Sequence, residues 1–191
     1  MTLPNDRQCE WRMQGRYRKG AGMVGITSEA DGTPGAEARA KQRVYLVIMD
    51  DTEESARALR FAARRAVRTG GTVHILALVP RHEFVVFGSI QATIEGEARE
   101  RAEDLARAAA GSLADESGLE PAVAVRTGSG PQVVRDYLAE HPEVSALVLG
   151  AAAEGNPGPL VTHFTSQIGQ LPCVLMIVPG GIDERGIDSF S

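Results

Sequence analysis

Along the chain from about Gln42 to Pro179, two hydrophobic patterns take turns. Short continuous apolar runs are separated by longer stretches in which apolar residues recur every three or four positions. Val44–Met49 is unbroken and rich in β-branched residues, as a strand buried on both faces requires. From Thr52 or Glu53 the period changes. Acidic residues fill a first helical turn, Ala56, Leu59, Ala63 and Val67 follow at helical spacing, and Gly70-Gly71 ends the pattern. Thr72–Val79 repeats the strand pattern and stops at Pro80. Beyond a loop, Ile94, Ala98, Ala102, Leu105, Ala109 and Leu113 predict one stripe of a long amphipathic helix ending at Gly118.

The second half continues the alternation. Ala122–Arg126 is a third strand, and Pro131 opens a helix whose inner face is Val134, Tyr137 and Leu138, closed by His141-Pro142. Ser145–Leu149 is a fourth strand and Cys173–Val178 a fifth. Between them Leu160, Phe164, Ile168 and Leu171 are spaced for a further helix. Alternation of this kind predicts an α/β fold in which right-handed crossovers join parallel strands and helices cover both faces, a doubly wound sheet. Ligands of such sheets bind beyond the carboxyl ends of the strands, where strand order reverses. If the first and fourth strands adjoin there, the positions of interest are Asp50, Asp51 and Thr52 after one, and Gly150 onward after the other.

Residues 1–41 lack any apolar period and are interrupted by Gly15, Gly20, Gly22, Gly25, Gly32, Pro34 and Gly35, so they are expected to be a disordered tail. Met13 and Met23 allow a later start. Residues 42–180 make the domain and 181–191 a short flexible tail. The run Phe84-Val85-Val86-Phe87 is expected to tuck onto the domain.

Composition narrows the function. No apolar run approaches the roughly 18 residues of a membrane helix, and Cys9 and Cys173 cannot form a disulfide framework, so a cytoplasmic protein is expected. The net charge is −5, but residues 1–22 carry +3, which leaves −8 on the remainder and argues against nucleic acid as a partner. Lysine occurs only at positions 19 and 41. A phosphate loop of the Gly-Lys type is therefore excluded, and the dinucleotide fingerprint fails because Val133 stands where its third glycine belongs. A phosphorylation receiver would need an aspartate after the third strand and a lysine after the fifth. Arg126-Thr127-Gly128 and Val178-Pro179-Gly180 stand there instead. His74, His82, His141 and His163 show no metal-ligand spacing and no nucleophile elbow is present, so neither a metal site nor a catalytic constellation is expected.

Several segments together resemble the universal stress proteins: Val47-Ile48-Met49-Asp50-Asp51-Thr52-Glu53-Glu54-Ser55 running into Ala58-Leu59, then Arg126-Thr127-Gly128, then Leu147-Val148-Leu149-Gly150 with Ser166-Gln167 and Leu171-Pro172-Cys173-Val174-Leu175. The resemblance implies a five-stranded sheet of order 3-2-1-4-5, a homodimer joined through the edge strand Val174–Val178, and a role in stress adaptation through a protein partner or small ligand rather than through a reaction. One branch of that family holds ATP or AMP with Mg²⁺ on Gly-x₂-Gly-x₉-Gly-Ser/Thr. Counted from Gly150, those positions here are Ala153, His163 and Phe164. Asp50, Asp51, Thr52, Gly128, Gly150, Ala153, His163, Phe164 and Ser166 are thus the candidate ligand residues. Pro157 and Pro159 remove amide donors and Glu154 adds like charge, so the expectation is no nucleotide cofactor. A nucleotide switch with a remodelled loop, or a weak hydrolase using Asp50 and Asp51 with a metal, are the alternatives.

Overall fold

A computed structural model describes residues 42–81 and 88–191, apart from the side chains of 88–92. The expected N-terminal tail, the Phe84–Phe87 run, His82 and Cys9 lie outside the described residues. The strands are β1 (Val44–Met49), β2 (Thr72–Val79), β3 (Ala122–Thr127), β4 (Val144–Ala151) and β5 (Val174–Pro179). They form one parallel sheet in the order β3-β2-β1-β4-β5. The helices are α1 (Glu53–Thr69), α2 (Gly88–Ser117), α3 (Gly130–Glu140), α4 (Pro159–Ser166) and α5 (Glu184–Phe190).

Two-residue alternation along the central strands divides the core between the faces of the sheet. Tyr45, Val47 and Met49 of β1 join Val73, Ile75 and Ala77 of β2 under the alanine-rich inner sides of α1 and α2. Leu46 and Ile48 point the other way, with Leu76, Leu147 and Leu149, toward Val134 and Leu138 of α3 and Val161 and Phe164 of α4. Small residues at Ala58, Ala62 and Ala66, none of them exposed, let α1 lie close against β1 and β4. None of the described helices is long and apolar enough to cross a membrane.

Two expectations are corrected. The stripe Leu160, Phe164, Ile168, Leu171 does not belong to one helix, because α4 ends at Ser166 and a short 3₁₀ turn follows at Ile168–Gln170. Phe164 is core, but Ile168 is 59% exposed. Residues 181–191 are not a flexible tail either. Asp183 caps α5 by accepting from the Gly186 amide (2.8 Å), and Ile187 is completely buried. Asp188 pairs with Arg60 and Arg64 of α1, each at 3.1 Å, and Arg68 donates to the carbonyl oxygens of Asp188 and Ser191. One buried side chain gives no period to detect in a sequence, and the arginines that receive this helix lie more than a hundred residues earlier.

Candidate ligand cleft at the switch point

β1 has β2 on one side and β4 on the other, and the chain leaves it first toward β2 and later returns to β4. A cleft of about 180 Å³ opens where β1 and β4 end, between the first turns of α1 and α4. Its walls include Asp50, Thr52, Glu54, Gly150, Pro157 and Pro159. Asp50, Thr52 and Gly150 therefore come together there.

Local chemistry accounts for much of this constellation without a ligand. Asp50 Oδ1 accepts from the Thr52 amide (3.1 Å) and the Thr52 hydroxyl (2.5 Å), and Thr52 Oγ1 in turn accepts from the Ser55 amide (3.3 Å). The buried Ser55 hydroxyl donates to the Asp50 carbonyl oxygen (2.8 Å). Asp50-x-Thr52-x-x-Ser55 is thus a chained N-terminal cap for α1, and it occupies one of the carboxylate oxygens. Gly150 is required by packing. A Cβ there would stand 2.2 Å from the Glu54 carbonyl oxygen, because the first turn of α1 rests on the end of β4.

The remaining sequence candidates fall elsewhere. α4 begins at Pro159, well before the positions counted for the last glycine and hydroxyl of the family loop. His163 instead contacts Arg135 of α3, whose guanidinium also donates to Gln167 Oε1 (2.9 Å). Phe164 is 1% exposed and faces α3, and the Ser166 hydroxyl donates back to the His163 carbonyl (2.7 Å). Asp51 and Ala153 are exposed and do not line the cleft. Gly128 ends β3 with φ +152°, a conformation reserved in practice for glycine, and its amide donates to the Val79 carbonyl (3.0 Å). It shapes the turn into α3 rather than the cleft.

At the opposite end of the sheet the structure brings together histidines that are scattered in the sequence. His74 of β2 is 9% exposed and its Nδ1 lies 3.0 Å from the Tyr137 hydroxyl. The His141 ring tilts over Tyr137 with centroids 4.2 Å apart and stands edge-on to His74 at 5.5 Å. Glu143 Oε1 is 2.9 Å from His141 Nδ1. Burial, then the proximity of His141, pushes the His74 pKa down; burial raises that of Tyr137. A backbone amide, then His141, holds the Glu143 carboxyl low.

Comparison with known proteins follows the sheet. Residues 43–179 match the model of the universal stress protein family. No curated protein matches the sequence at a significant level. Among solved structures, universal stress protein UspA from Lactobacillus plantarum superposes with a TM-score of 0.62 at 19% identity, covering 73% of this chain and 99% of that one. A universal stress family protein from Burkholderia pseudomallei gives 0.58 at 12% identity, over 74% of this chain and 99% of its own. The universal stress protein from Archaeoglobus fulgidus gives 0.54 at 18%, over 71% and 97%. At these identities the superpositions speak for the fold, and the family model, which runs from the residue before β1 to the last of β5, speaks for descent: the chain belongs to the universal stress protein family.

Proposed function

We propose that this protein is a cytoplasmic, homodimeric regulator of stress adaptation that acts through a protein partner or small ligand, without tight ATP binding and without a reaction of its own. Family membership supports the stress-related role. The cleft carries the rest of the reading. Its volume of about 180 Å³ falls below the roughly 300 to 1,000 Å³ typical of small-molecule sites. None of the described residues lining it is basic, while Asp50 and Glu54 are acidic. At the first turn of α4, Pro157 and Pro159 have no amide to offer, and that of Gly158 already donates to Asn156 Oδ1 (3.1 Å). A triphosphate needs backbone donors or cations at close range, and this cleft opposes it with carboxylates.

Each missing charge-assisted hydrogen bond costs on the order of 1.5 to 3 kcal/mol, so losing two turns micromolar affinity into roughly millimolar or weaker. Calorimetry with ATP, with and without Mg²⁺, is expected to show no saturable binding below about a millimolar. A micromolar dissociation constant, or ATP carried through purification, would replace this reading with that of a nucleotide switch using Asp50 and Gly150. Divalent-dependent phosphohydrolysis abolished by Asp50→Asn would make it an enzyme.

The dimer rests on the edge of the sheet. Among the described residues β5 has a neighbour only at β4, and Val174 and Ile177 are 58% and 39% exposed on it. An unpaired strand edge bearing apolar side chains invites association with a copy of itself. Sedimentation is expected to report a dimer at micromolar concentration, and Val174→Asp or Ile177→Pro to give monomer or aggregate. A wild-type monomer would overturn the assembly while leaving the ATP prediction standing.

A further inference from the structure

The geometry points to a binding site for one divalent transition-metal ion, built from His74, His141 and Glu143 at the amino end of the sheet and supported by Tyr137. A ring nitrogen of each histidine and a Glu143 carboxylate oxygen lie within 4.8 Å of one another. Three donors at that separation surround a point about 2.8 Å from each, so closing to zinc-ligand distances of about 2.0 to 2.2 Å moves each inward by less than about 1 Å. The movement is available where it is needed. The side chains of His141 and Glu143 are 32% and 42% exposed, whereas His74 is held inside the fold.

The fold makes the convergence, not the spacing along the chain. His74 is the third residue of β2 and shares the face of β2 with Leu76, toward α3. α3 crosses that face and delivers Tyr137 in its last turn. The chain then reverses at His141–Val144, closed by the Val144 amide donating to the His141 carbonyl (3.0 Å), and enters β4. His141 and Glu143 are thereby returned to the start of the sheet beside His74.

The donor set selects the ion. Two imidazoles and one carboxylate suit zinc-like, borderline ions, while Mg²⁺ and Ca²⁺ demand oxygen donors. Three protein ligands leave a fourth position open to water or an exogenous group. Tyr137 supplies the outer support: its hydroxyl lies 3.0 Å from His74 Nδ1, a hydrogen bond that fixes the orientation of the ring. This site is separate from the switch-point cleft and does not depend on how the cleft is read.

The experiment is calorimetric titration of the full chain, freed of metal by chelator and dialysis, with ZnCl₂, CoCl₂ and MgCl₂ near neutral pH. One Zn²⁺ per chain is expected with a dissociation constant in the micromolar range or tighter, and no heat from Mg²⁺. His141→Gln and Glu143→Gln change partly exposed positions, so the fold is kept, and each should weaken zinc binding at least tenfold. Tyr137→Phe, which removes only the outer support, should weaken it by about 10- to 100-fold. Bound Co²⁺ should show a visible absorption band that His141→Gln and Glu143→Gln lose. Absence of saturable zinc binding below about 0.1 mM overturns the proposal. So does binding that survives unchanged in both His141→Gln and Glu143→Gln, since the ion would then sit elsewhere.

Discussion

Gly150→Ala is expected to destabilise the domain by about 1 to 3 kcal/mol or more, the range for forcing atoms into a packed interior. The new Cβ would meet the Glu54 carbonyl oxygen at 2.2 Å and its carbon at 2.4 Å. Both are backbone atoms of the first turn of α1, so no rotamer change relieves the contact. Either α1 tilts away from β4 and loosens its alanine-lined seat, or the end of β4 leaves its register with β5. Urea denaturation should show a lower midpoint with an unchanged slope. Ala153→Gly offers the contrast. It restores a glycine of the family loop at an exposed position and should shift stability by no more than about 0.5 kcal/mol. An unchanged midpoint in Gly150→Ala would show that α1 yields, and Gly150 would then need a ligand to explain it.

The case of Gly150 shows which parts of this molecule a linear reading reaches. Val44–Met49 is legible in the sequence because burial on both faces leaves an unbroken apolar run, and Thr72–Val79 because Gly71 and Pro80 bound a run interrupted only by His74. The meeting of Asp50 with Gly150 follows from the switch-point rule because β1 and β4 are neighbours. Counting along a loop picks out His163 and Phe164, and counting fails where a helix starts early. Asn156 and Pro159 begin α4 upstream, so the same residues turn toward α3. The sequence shows no relation between His74 and His141, because their proximity is created by the crossover connections of the sheet, which no local spacing records.

Ile187→Ala is expected to have the largest effect, a loss of about 2 to 5 kcal/mol if α5 stays in place around the cavity. The upper limit is the free energy of docking α5 itself, since a helix of seven residues does not persist alone and would rather leave. Two kinds of contact hold it in place, and their magnitudes differ. The ion pairs of Asp188 with Arg60 and Arg64 are partly exposed, and pairs of that kind contribute little. Ile187 is completely buried and gives up a whole side chain's worth of apolar surface to water when α5 detaches. Burial therefore decides. The pairs add a pH dependence whose sign is fixed: Arg60 holds the Asp188 carboxyl below its usual value, so their contribution is present above the ordinary aspartate range and is lost as pH falls through and below it. Hydrogen exchange should show α5 amides losing protection in Ile187→Ala, with the thermal midpoint lowered, while Phe190→Ser, at a side chain 71% exposed, leaves both unchanged. Retained protection and an unchanged midpoint in Ile187→Ala would mean that the arginine contacts hold α5, and that its removal by acid, not by truncation of its one buried side chain, is the way to detach it.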